Sequence, residues 1–230
     1  MLYGPREAPY TEKVRRALVL KGLRFELREP TRAEDYAKWS PETGLLPVMT
    51  IDGQLTSDST SILMQLDRLY PDPPLLAKDA TIAAQQRTLE DWADESFLWY
   101  FMKWLNFRGE HAVAATNVGQ NQQASRQYAE EQQRPLGRLR RITAWLRAGG
   151  TWERPETAIL RGLSDRLGDL VNFLGARPFF YSDRVSIADL AVYGMLLTMR
   201  RDSIPGSQQL LASRPSLVEF MRRVERETGG

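Results

Sequence analysis

Apolar residues change their period several times along the first 78 positions. "MLYG" reads as a short buried strand ending at Gly4. In "TEKVRRALVLKG", Val14, Ala17, Leu18 and Leu20 recur at helical spacing, and Gly22 is the expected C-terminal stop. "LRFELREP" then alternates Leu23, Phe25 and Leu27, the period of a strand. "LPVMTIDGQLTSD" predicts two short strands around Asp52-Gly53, a strong hairpin signal. "STSILMQLDRLY" returns to helical spacing and places Ile62, Leu63, Leu66 and Leu69 on one buried face. The order is β-α-β followed by β-β-α. It predicts a parallel pair and an antiparallel hairpin in one sheet, with helices against it.

Three prolines in "YPDPPLLAKDA", Pro71, Pro73 and Pro74, mark a linker. From Thr81 onward every periodic segment is helical. One long helix is expected over 81–108. A second is expected over 121–150, kinked or broken at Pro135 and stopped by Gly149-Gly150. Others are expected over 154–175, 186–201 and 214–227. The predicted organisation is an α/β domain over 1–78 and an all-α domain over 79–230, with no internal repeat.

Composition narrows the chemistry. At 42% hydrophobic and 26% charged over 230 residues, the chain is ordinary soluble globular material, able to bury a core without staples. It has no cysteine, which excludes disulfides, thiolate zinc sites and catalysis by a protein thiol. His111, the only histidine, is read as a surface residue, and no metal is expected. A net charge of +2, spread as −1 over residues 1–79 and +3 over the rest, argues for neither nucleic acid nor membrane. No apolar run approaches the ~18 residues of a membrane span. The N-terminus has no basic region followed by an apolar one, so a cytoplasmic location is expected.

Three motifs carry a possible site. In "LLPVM", Pro47 stands where a strand begins and would cost a ladder hydrogen bond. A cis Leu46–Pro47 bond would turn the chain and expose the Leu46 backbone to an extended, peptide-like ligand; a trans proline on an edge strand is the alternative. In "TSDSTSIL", Asp58-Ser59 lies between a strand and a helix. Free N–H groups there suit a carboxylate and the aspartate suits an ammonium, so an amino-acid head group fits; a plain N-cap is the alternative. In "VSIADLAVYG", Ser186 and Asp189 form a capping box with Val185 and Leu190 as its staple, a purely structural device.

In this order "APYTEKVRRALVLKGLRFEL", "LLPVMTIDGQLTSDSTSIL" and "SIADLAVYGML" resemble the glutathione transferase superfamily over nearly the whole chain. The resemblance implies a thioredoxin-like N-terminal domain and an all-helical C-terminal domain, with glutathione bound as substrate by the first. An apolar co-substrate would occupy the cleft between them, in a homodimer. Leu46, beside Pro47, would pair with the cysteinyl backbone of glutathione, and Asp58 and Ser59 would hold its γ-glutamyl end.

Two positions depart from that pattern. Several transferase classes have Ser or Cys where this chain has Ala8, and an alanine can neither hydrogen-bond a thiolate nor attack an electrophile. Leu45 stands where Lys or Gln is common; Lys38 or Trp39 would have to substitute. Thiol activation then falls to the start of the helix after Ala8, with Thr11 as first candidate and Tyr3 as second. "DWADESFLWYFMKWLNF" sets Phe97, Tyr100, Phe101, Trp104 and Phe107 at helical spacing beside Trp92 and Trp99. Most of these are read as core and one or two as cleft wall. "RPLGRLRRITAWLR" is read as a solvated basic face. Two functions remain open: conjugation or reduction of a hydrophobic electrophile by glutathione, or a non-catalytic dimeric adaptor on the same fold that binds a protein partner.

Overall fold

The computed structural model describes residues 1–108 and 154–229. His111, the helix expected over 121–150 and its basic face lie outside the described residues. The first part comprises β1 (Leu2–Tyr3), α1 (Pro9–Leu20), β2 (Leu27–Arg28), α2 (Ala33–Trp39), β3 (Val48–Ile51), β4 (Gln54–Ser57) and α3 (Ser59–Leu69). The second comprises α4 (Ala80–Arg108), α5 (Pro155–Leu174), α6 (Ile187–Arg200), α7 (Ser207–Ala212) and α8 (Pro215–Glu227). The sheet order is β2-β1-β3-β4. β1 and β2 are parallel, with Leu2 opposite Leu27; β3 runs antiparallel to both β1 and β4, with Val48 opposite Ser57. A mixed four-stranded sheet with helices, followed by helices alone, is the thioredoxin-like plus all-helical architecture expected.

Several elements differ from the sequence reading. The strand expected from Leu23 pairs only at Leu27–Arg28, because its partner β1 is two residues long. Leu23, Phe25 and Leu27 still pack against the core, so the alternation reported sidedness rather than ladder length. Leu69 is 42% exposed rather than buried, since it closes the last turn of α3 while Ile62, Leu63 and Leu66 are fully covered. Helix α2 has no buried residue and therefore leaves no apolar period in the sequence. Helix α7 is only six residues long, too short for a period to register.

Helix α1 joins the two parts. Eight of its residues are buried, from Tyr10 to Leu18, and it packs on α3 and on α6. The approach to α6 is close at Gly194: a Cβ there would lie 2.7 Å from the Pro9 carbonyl oxygen. The buried cations of α1 are all partnered. Lys21 Nζ donates to Asp67 at 2.8 Å and to the carbonyls of Tyr70 and Pro73 at 2.6 and 2.8 Å. Asp67 also accepts the Leu75 N–H, and the Leu75 carbonyl accepts the Ile187 N–H. The proline-rich linker, in which Asp72–Pro73 is cis, is thus fastened at both ends.

At the start of α6 the capping box forms as read. The Asp189 carboxylate accepts the Ser186 N–H at 2.8 Å, the Ser186 hydroxyl at 2.6 Å and the Phe180 N–H at 2.8 Å. Val185 and Leu190 are both buried beside it. Burial raises the Asp189 pKa to about 7 against the pull of these donors. Gly194→Ala forces a methyl against backbone, so we expect it to destabilise the chain by about 1–3 kcal/mol in denaturant unfolding. Ser186→Ala should cost about 1 kcal/mol through loss of the cap.

Candidate active site

Helix α1 begins without a side-chain cap. Ala8 is its N-cap with extended backbone (φ −71, ψ 135), and Pro9 occupies the first helical position, where its missing N–H costs nothing. The Glu12 N–H returns to the Ala8 carbonyl, whereas the Tyr10 and Thr11 N–H groups donate to no backbone acceptor among the described residues. This helix end opens onto a cavity of about 410 Å³ between the two parts of the chain. Ala8, Pro9 and Tyr10 line one side and Tyr36 of α2 a second. Phe97 and Phe101 of α4 and Met195 and Met199 of α6 supply an apolar wall. Phe97 and Phe101 are therefore the aromatics that reach the cleft. Tyr100 packs against Gly162, Trp104 is buried and Phe107 is exposed. Arg6 does not fill the Ala8 side: its Nε pairs with Glu29 at 3.2 Å, well out in solvent.

The second cluster lies along β3 and the start of α3. The Leu46–Pro47 bond is cis. The Leu46 N–H and carbonyl take part in no backbone hydrogen bond among the described residues, and the side chain is buried. Leu45 is buried too, so the place of the family's Lys or Gln presents no polar atom. Lys38 is exposed, and the Trp39 ring lies on Tyr3, with centroids 5.0 Å apart. Asp58 has φ 71 and ψ 125, rare for a residue other than glycine, and its Oδ2 accepts the Ser61 N–H at 2.9 Å. Such backbone costs on the order of 1–3 kcal/mol and is commonest where geometry serves a site. Ser59 is buried with its Oγ unpartnered. Asp58 is thus the N-cap of α3, and the Ser59 and Thr60 N–H groups ahead of Ser61 donate to no backbone acceptor among the described residues.

Thr11 is placed differently from expectation. It is fully buried, and its Oγ1 lies behind Gly4, where an added Cβ would collide with it. The hydroxyl has no partner and faces neither the cavity nor solvent. The reason is helical phase: Ala8, Pro9 and Tyr10 take the open end of α1, which turns Thr11 toward β1. Tyr3 is half-buried against Trp39 and is not among the cavity's lining residues.

A buried polar cluster under the site was not legible as such. Lys13 bonds Glu90, Asp94 Oδ2 at 2.8 Å and Thr60 Oγ1 at 3.2 Å, linking α1 to α4 and to the first turn of α3. The Tyr10 hydroxyl donates to the Asp94 carbonyl at 3.3 Å. Burial acts to lower the Lys13 pKa, but Asp94 and Glu90 outweigh it and hold the ammonium charged. Burial, with Asp94 and Asp58 nearby, raises the Tyr10 pKa well above its usual range, so its phenol remains a neutral donor. For Asp94, burial raises the pKa to about 6 against the attraction of Lys13. Among the described residues no group of His, Cys, Asp or Glu is arranged to hold a metal, and no helix is long and apolar enough to cross a membrane.

The Glutathione S-transferase N-terminal domain model matches residues 2–74, and the C-terminal domain model of the same family matches residues 153–229, together well over half of the chain. The chain belongs to the glutathione transferase superfamily. Glutathione S-transferase Z1 of Arabidopsis thaliana is 36% identical over 84 residues, 34% of this chain and 38% of that protein. The chain therefore matches well under two thirds of that relative's length. The β-etherase LigF of Sphingobium sp. strain SYK-6 superposes over 97% of this transferase-family chain and 93% of its own, with TM-score 0.67 and 20% identity. The Tau class glutathione S-transferase of mango covers 97% and 87%, with TM-score 0.63 and 18% identity. At these identities the likeness speaks for the fold.

The raised pKa of Asp94 has a measurable consequence. Folded Asp94 keeps its proton up to about pH 6, whereas an unfolded aspartate loses it near ~3.9. Between these values the folded state binds more protons, so this carboxyl contributes less stability as pH rises through the window, and a constant amount above it. Denaturant unfolding between about pH 4 and about pH 7.5 should show the parent chain losing stability relative to Asp94→Asn. A slope of the opposite sign would mean that Lys13 keeps Asp94 ionised throughout.

Proposed function

We infer that the chain binds glutathione across Leu46 and the start of α3 and delivers its thiol to a hydrophobic electrophile in the cavity beside Ala8. The observation that carries this reading is the open, apolar cavity at an uncapped helix start, walled by both domains. A pocket retained for packing alone would be filled by side chains. Leu46, with its backbone groups unused, offers an N–H and a carbonyl to the cysteinyl residue. The free amides at Ser59 and Thr60 and the Asp58 carboxylate suit the two charges of the γ-glutamyl end.

Thiol activation then rests on backbone. A thiol near pKa ~8.5 needs about 1.4 kcal/mol for each unit of lowering. The free N–H groups and dipole of α1 supply roughly 0.3–2 kcal/mol, with no side chain involved. Transfer forms a bond from the glutathione sulfur to the electrophilic carbon and the thiol proton leaves to solvent; the displaced electron pair departs with a leaving-group anion or, in addition to an activated double bond, is protonated from solvent. Phe97, Phe101 and the methionines exclude water and offer polarizable contact to a flat apolar partner. On this reading the protein is a cytoplasmic homodimer, and its mass in sedimentation is expected at twice that of the chain.

One observation favours the alternative of a non-catalytic adaptor: Ala8 brings no hydroxyl or thiol to the helix start. Calorimetric titration with reduced glutathione separates the two. Binding between micromolar and low-millimolar strength is expected, and Asp58→Asn, which tolerates positive φ and preserves a cap, should weaken it at least about tenfold. Thr11→Val should leave kcat/KM with a model electrophile within about twofold and the fold as stable or more so, since its hydroxyl is buried and unpaired. No heat and no thermal shift at about 10 mM glutathione would point to the adaptor.

A further inference from the structure

The loop carrying Ala8 separates two cavities of opposite character. Pro5, Glu7 and Ala8 line the apolar cleft, while Arg6 borders a polar groove of about 570 Å³ on the other face of α1. Arg15 and Arg16 of α1 and Arg200 and Arg201 at the end of α6 border the same groove. Two carboxylates stand among them, Glu12 and Glu225. Glu12 is taken by Arg15 at 2.6 Å and by Arg16 at 2.7 Å, and Glu225 by Arg200 at 2.7 Å. Arg6 pairs with Glu29 outside the groove. Arg201 donates at 2.9 Å to the Glu7 carbonyl, which carries no charge. Even with Glu29 included, the guanidiniums exceed the carboxylates by two.

Carboxylate pairing within the groove does not account for this excess: Arg201 meets a backbone carbonyl, and Arg6 a carboxylate outside the groove. A fold that needs these arginines for pairing alone would meet each with a carboxylate, because like charges crowded in one groove repel. The guanidiniums are also held in place before any ligand arrives. Arg15 grips Glu12 through two nitrogens, and the Arg16 guanidinium lies 4.0 Å from the Tyr193 ring centroid while donating to the Tyr193 hydroxyl at 2.8 Å. Those nitrogens are spent within the protein and set a fixed positive floor, so a ligand's phosphate oxygens would meet the remaining nitrogens of Arg6 and Arg201 at the rim, where a planar guanidinium suits them.

We propose that this groove is a second binding site, for a compact ligand carrying two or more phosphate groups. It is independent of glutathione, which belongs to the other face of the loop. The test is calorimetric titration of the full chain with sodium pyrophosphate at about 150 mM salt, where weak surface attraction is screened. One saturable site per chain is expected, with a dissociation constant below about 1 mM. The double variant Arg6→Gln/Arg201→Gln removes two exposed side chains from the groove's rim and none from the core. It should keep the parent thermal midpoint and bind pyrophosphate at least about tenfold more weakly. Titrating glutathione into the same samples keeps the two sites apart, since either can be occupied or empty without the other. The proposal falls if no saturable heat appears up to about 10 mM, or if the double variant binds as the parent does. It falls equally if a glutamate-rich peptide binds the groove and pyrophosphate does not, for the surface would then serve an acidic protein segment.

Discussion

Everything in this molecule leans on the burial of a charged helix. Helix α1 lies between the sheet domain and the helical domain, covered by α3 on one side and α6 on another. Its sequence is not that of a core helix: Lys13, Arg16 and Lys21 are all buried at it or at its end. Ions taken out of water are tolerated only when paired and hydrogen-bonded, and removing one partner of such a pair typically costs about 3–5 kcal/mol. Each of the three cations therefore dictates a piece of architecture. Lys13 fixes α4 against the first turn of α3, Arg16 draws α6 and α8 in through Tyr193 and Thr228, and Lys21 ties down the linker. The domains are held in one arrangement by directional contacts as well as by apolar area.

That arrangement makes the cleft. Both domains supply it: the wall from α4 and α6 meets the helix start from the sheet domain. The close approach at Gly194 brings the α1 end to α6, so the uncapped amides stand at the rim of an apolar space. A helix start exposed to bulk water would have its dipole screened, whereas beside Phe97 and Met195 it acts in a low dielectric. On the proposed transfer reaction, these amides would offset in part the absence of a side-chain donor at Ala8. The same loop presents Arg6 and Ala8 to opposite sides, so two faces of one short segment border unlike surroundings, one polar and one apolar.

Some of this was legible residue by residue. The α1 and α3 periods, the Asp52-Gly53 hairpin and the Ser186–Asp189 box are local devices, set by neighbours within a few positions, and the structure has all of them. The Leu46–Pro47 turn and the Asp58 cap were visible as residue types, though only the folded chain shows the cis bond at the first and the capped Ser61 amide at the second. Helix α2 was invisible because a helix with no buried face leaves no apolar period. Thr11 was misplaced for a related reason. The spacing puts it in the first turn of α1, but the rotation of that turn against β1 depends on Gly4, in another element.

By itself, then, the amino-acid sequence determined the elements that bury an apolar face, the order of an α/β domain before helices, and the absence of any protein thiol, since these depend on composition and on short-range periodicity. Its three hallmark stretches also pointed to the superfamily. The tertiary structure alone decided which aromatics face the cleft and that Arg6 leaves the Ala8 side open. It alone gathered Lys13, Glu90 and Asp94 under the site, and five arginines into a groove on the far side of one loop. These are juxtapositions of residues far apart along the chain. Their energies come from desolvation and pairing between elements, which no local pattern encodes.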